Sequence, residues 1–70
     1  MSENPIKDLY ESDKTTDELL EFAGESLDDE DQTILDLAAK TSSEGTKGET
    51  FRVILCAKLV ESGYTLMDID

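Results

Sequence analysis

Apolar and polar positions along this chain follow a helical period in two places, and a third block is apolar without a clear period. The first pattern opens at Thr15-Thr16-Asp17-Glu18. A threonine oxygen there can accept from an orphan amide while Glu18 reaches back, the capping-box arrangement. Leu19, Leu20, Phe22 and Ala23 supply an apolar stripe, and Gly24 offers a left-handed stop. Ser26 reads as the N-cap of a second helix opening Ser26-Leu27-Asp28-Asp29-Glu30. Its buried face is expected at Ile34, Leu35, Leu37 and Ala38, with the pattern lasting to about Lys40.

Residues 41–50 read TSSEGTKGET, small and polar with two glycines, which predicts a flexible loop over 41–49. The third block, Phe51–Val60, is ambiguous by period alone. Phe51, Val53, Leu55, Ala57 and Leu59 alternate as in a strand, but Ile54, Cys56 and Val60 spoil the other face. The ending favours a helix. Ser62-Gly63-Tyr64 suits a C′ glycine followed by a hydrophobic contact.

Before Thr15, only Ile6, Leu9 and Tyr10 have helical spacing, after an Asn4-Pro5 turn. Residues 1–14 are therefore read as a partly mobile arm with room for one short helical turn, and residues 15–70 as a single helical domain. The tail after Tyr64 is expected to be extended, with Leu66 and Met67 packing on the body. The fold class is all-α, a small three-helix bundle.

Charge changes the picture. The 70 residues carry a formal net charge of −12. Asp8 to Asp36 holds twelve carboxylates against one lysine, Lys14, so nearly all of that charge lies in one half. Such crowding opposes the compact state through self-repulsion. It also disfavours anionic lipid and direct binding of DNA or RNA. No apolar run approaches membrane-spanning length, and the first residues show no targeting signal. The lone Cys56 excludes an intrachain disulfide and reads as a small buried hydrophobe, so a cytoplasmic setting is expected.

Enzyme chemistry finds little to work with. Histidine is absent, which removes the commonest general base, its nucleophile pairs and the usual zinc ligand. Gly45 and Gly48 lack the spacing of a phosphate-binding loop. Asp28-Asp29-Glu30-Asp31 fails as a calcium loop. Counting from Asp29, Ile34 stands where glycine makes the turn and Lys40 where the bidentate glutamate belongs. No catalytic residue, metal or cofactor is expected.

Gly24-Glu25-Ser26-Leu27, in a small acidic helical chain, resembles the acyl carrier proteins, in which the serine of Asp-Ser-Leu carries phosphopantetheine. That resemblance implies modification at Ser26. Glu25 replaces the aspartate, and the long loop before the serine is missing. The plain reading of Ser26 is a cap.

Asp17, Glu21 and Glu25 stand at i, i+4 and i+8, about 5–6 Å apart at Cβ on a helix, where like charges cost stability. With Glu18, Asp28, Asp29, Glu30, Asp31 and Asp36 they form a candidate acidic strip. Two readings follow. In the first, an inhibitor or adaptor of phage or mobile-element style lays this strip into the basic groove of a nucleic-acid-binding protein, its carboxylates imitating phosphates. In the second, a regulatory module self-associates as a homodimer through Phe51, Ile54, Leu55, Leu59 and Tyr64, because two amphipathic helices hardly cover a third that is apolar nearly all round.

Overall fold

The computed structural model describes residues 4–69; Met1–Glu3, at the start of the arm, and Asp70, at the end of the tail, lie outside the described residues. Five α-helices follow one another: α1 (Pro5–Tyr10), α2 (Thr16–Ser26), α3 (Asp29–Thr41), α4 (Glu49–Glu61) and α5 (Leu66–Ile69). A 3-10 turn, Gly45–Lys47, sits between α3 and α4. Among the described residues there is no strand, and the architecture is a small all-α bundle. The three long helices are the three read from the sequence, and the short N-terminal turn is α1.

The ambiguous block is helical, and its ending explains why. Gly63 adopts φ +93°, a conformation that favours glycine. The Tyr64 amide donates to Leu59 O and the Gly63 amide to Val60 O, each at 3.0 Å, which together make a Schellman closure. Tyr64 then meets Phe22 edge to face, with ring centroids 5.3 Å apart.

Helix α4 runs through the middle. Phe51, Leu55, Cys56 and Leu59 are fully buried, enclosed by Leu9 of α1, Leu19 and Ala23 of α2, Leu27, and Leu35 of α3. Helix α1 packs on α4, and the neighbouring chain is tied to it by Arg52. The Arg52 guanidinium donates to Tyr10 O at 2.9 Å, Lys14 O at 2.7 Å, Thr16 Oγ1 at 3.1 Å and, more distantly, Ser12 O at 3.5 Å. It also lies 5.5 Å from the Tyr10 ring centroid, a cation–π contact.

Several local expectations are corrected. Gly24 does not stop α2; it has no positive φ, and the helix runs on to Ser26 before Leu27 turns into the core. Leu37 is 60% exposed, while Ala39 packs against the core in its place. One hundred degrees per residue carries Leu37 away from the face of Leu35. The polar loop read over 41–49 is the connection between α3 and α4 and contains the 3-10 turn, with Gly45 at φ +62° and Gly48 buried. The tail is a helical turn, not extended chain. Asp68 accepts from the Thr65 amide at its start, so Ile69 packs inward and Met67 remains 86% exposed.

Two outcomes follow from this packing. Arg52→Met should lower the unfolding free energy measured in urea by about 2–3 kcal/mol, because carbonyls that accept from a charged donor lose it. The Cys56 thiol is held above its ordinary value, chiefly by burial, with nearby Arg52 opposing. As pH rises through the unfolded thiol's ordinary value of 9.0, the unfolded chain sheds a proton that the folded chain keeps. Stability should fall across that window, and Cys56→Ala should flatten this part of the pH profile.

Candidate functional site

The acidic face is built on α2. Thr15 caps the helix, its Oγ1 accepting from the Glu18 amide at 3.1 Å, as the sequence pattern predicts. Helical geometry then spreads Asp17, Glu21, Glu25 and Glu18 over an arc of about 100°. All four are exposed, while Leu19 and Ala23 point into the core from the opposite side of the helix. Among the described residues the four make no ion pair; the pair that is present joins Lys58 to Glu61 at 3.1 Å, at the end of α4. The Glu61 hydrogen bond holds the Lys58 ammonium above its ordinary value.

The acids of the next segment divide by role. Asp28, not Ser26, caps α3: its Oδ1 accepts from the Asp31 amide at 2.9 Å. Asp31 is half-buried, and its Oδ2 accepts from Ser62 Oγ at 3.2 Å, joining the start of α3 to the end of α4. Asp29 and Glu30 are exposed in the first turn, where their charge complements the helix dipole. Asp36 is exposed two turns later. Two of the four adjacent carboxylates are thus hydrogen-bonded in place, and two are presented to solvent. Among the described residues no cluster of metal-ligating side chains is present.

Ser26 is the last residue of α2, and its carbonyl accepts from Tyr64 Oη at 3.2 Å. A serine at the end of a helix has no cap to form, so the capping role read from the sequence is corrected. Carrier-type modification at the opening of a second helix likewise has no counterpart in this placement.

The residues read as a self-association surface lie mostly inside. Phe51 is 1% exposed, and Leu55 and Leu59 are 0% exposed within a single chain. Ile54 and Tyr64 are half-buried against the same core. The expectation of an uncovered α4 left out α1, whose Leu9 is also fully buried.

A cleft of about 100 Å³ opens where α2, α3 and α4 meet. Half-buried Leu20 and Ala39 line it over the buried Ala23, Leu35 and Phe51, and Gly24, Gln32 and Asp36 are at its margin. Gln32 Nε2 donates to Gly24 O at 3.0 Å and Leu27 O at 2.8 Å, fixing the side chain across the α2–α3 junction. Gly24 and Gln32 were missed by sequence reasoning, because glycine near a helix end was taken for a stop.

The capping assignment has a measurable consequence. Asp28→Ala should cost about 0.5–2 kcal/mol in chemical denaturation. Ser26→Ala, at a helix end where the side chain makes no hydrogen bond among the described residues, should change stability by less than about 0.5 kcal/mol.

No protein-family model matches the chain, and no curated protein or solved structure matches it either.

Proposed function

We propose that this protein is a small binding module, an inhibitor or adaptor, whose acidic face occupies a basic, nucleic-acid-binding surface of a partner protein. The observation that carries this reading is the exposed, unpaired arc of Asp17, Glu18, Glu21 and Glu25 opposite the buried side of α2. From Asp17 to Glu25 the helix rises about 12 Å, which gives about one carboxylate per 3–4 Å. One strand of duplex DNA presents a phosphate about every 3.4 Å. A groove lined with Lys and Arg for phosphates would meet a similar spacing of charge here, and long-range attraction would speed encounter.

A contact through α4 would instead have to draw Phe51, Leu55 and Leu59 out of the core. Burial of each such side chain stabilises the fold by about 1.5–3 kcal/mol, so that route is disfavoured. The buried lone cysteine suits a reducing, cytoplasmic setting.

Neutralising Asp17, Glu21 and Glu25 together tests the reading against a control of equal charge. Glu61 and Asp68 are poor controls, since one pairs with Lys58 and the other caps Thr65. Glu11, Glu44 and Glu49 are exposed and serve better. Nucleic-acid-binding proteins retained from lysate on the immobilised protein should be released by salt and by added duplex DNA. The α2 triple variant should retain them about tenfold less, and the control triple by less than about twofold. With helicity checked by circular dichroism, equal losses would reduce the effect to bulk charge. No loss from either would move the contact away from α2.

A further inference from the structure

We propose that the cleft beside Gly24 receives one arginine side chain of the basic partner, making it the anchoring point of the acidic face. This rests on the proposed function and names where the partner's contact is concentrated. Three observations converge. Gly24 lies within α2 without a positive φ, and a Cβ added there would meet nothing within 4 Å. The backbone therefore does not require glycine, although glycine weakens a helix relative to alanine. What its missing side chain does is leave one wall of the cleft open.

The floor is apolar and the margin is not. Leu20 and Ala39 are half-buried and line the cleft above the buried Ala23, Leu35 and Phe51, giving an apolar surface against which a methylene stem can lie. At the margin, Asp36 is an exposed carboxylate, and Gln32 donates both of its hydrogen bonds through Nε2, leaving its Oε1 to accept. An apolar floor with acceptors at the mouth suits a long side chain with a cationic, donor-rich end. Arginine matches this better than lysine, because its planar fork can engage a carboxylate and a neighbouring amide oxygen together. About 100 Å³ is also room for a single side chain, not for a drug-sized ligand.

The test is a titration of the isotope-labelled protein with a capped pentapeptide, one central Arg among Gly and Ser, followed by amide NMR. Saturable shifts should centre on Gly24, Gln32 and Asp36, and an otherwise identical peptide with norleucine should bind at least about tenfold more weakly. Gly24→Leu fills the open wall without altering any charge and should abolish the cleft shifts. Gly24→Ala should keep the helix at least as stable and reports on folding. Asp36→Asn should weaken the peptide several-fold. Shifts confined to Asp17, Glu21 and Glu25, with Gly24→Leu silent, would overturn the anchor and leave the acidic-face reading standing. Equal binding of the norleucine peptide would overturn it too, by making the cleft merely apolar. Loss of partner binding in the α2 triple variant with peptide binding intact would separate the two sites.

Discussion

Enclosure of α4 is the constraint on which the rest depends. Its apolar residues run nearly all round, so it needs cover on several sides. No other helix supplies much of that cover alone: α1 buries Leu9, α3 buries Leu35, and α2 buries Leu19 and Ala23. Each is short enough to be marginal in isolation. Their stability is therefore borrowed from a common centre, and the loss of one flank exposes the helix that the others pack against. Arg52 matters for the same reason. It ties the segment between α1 and α2 to α4 through three backbone carbonyls and a hydroxyl, so the smallest flank is held by more than Leu9.

That centre is also what lets the acidic half exist. Like-charged neighbours on α2 cost a few tenths of a kcal/mol per pair, about 1 kcal/mol for the whole row. One fully buried leucine contributes about 1.5–3 kcal/mol, and the core holds nine buried residues. Hydrophobic closure outweighs the repulsion without any help from counter-charges. Two of the six bases are engaged elsewhere: Arg52 is turned inward and Lys58 holds Glu61. The fold thus leaves the α2 carboxylates uncompensated, and their charge is available to whatever approaches.

How far the sequence could be read follows from the same physics. Thr15 and Gly63 were legible because each motif is local, a side chain or a glycine satisfying backbone groups within one turn. The α2–α3 junction was not. Ser26, Asp28 and Asp29 are all good caps, and the choice fell to Asp28 because Leu27 must first reach the core, where it is 6% exposed. Helix α1 was underrated since Ile6, Leu9 and Tyr10 make little more than one turn of pattern, too short to signal how much of α4 it covers. Leaving it out made α4 look unprotected and turned core residues into an expected interface. Of the acidic strip, the exposed row was read from spacing alone; the bond that occupies Asp28 is a local cap that the choice of helix start decides, whereas the one that occupies Asp31 comes from tertiary placement.

Net charge is a poor description of what a partner meets here. At physiological ionic strength the screening length is about 8 Å, and the molecule measures 35 × 22 × 18 Å. A basic surface touching α2 feels the carboxylates within a turn or two and little of those on the far side. Neighbours about 5–6 Å apart fall inside one screening length, so they act together. Their geometry, set by Thr15 at one end and by Leu19 and Ala23 facing inward, therefore decides more than the total of −12. A rigid row also loses less freedom on binding than a flexible acidic tail of the same charge. Folding this much negative charge onto a helix costs stability, and what the helix adds over a disordered acidic segment is a fixed spacing.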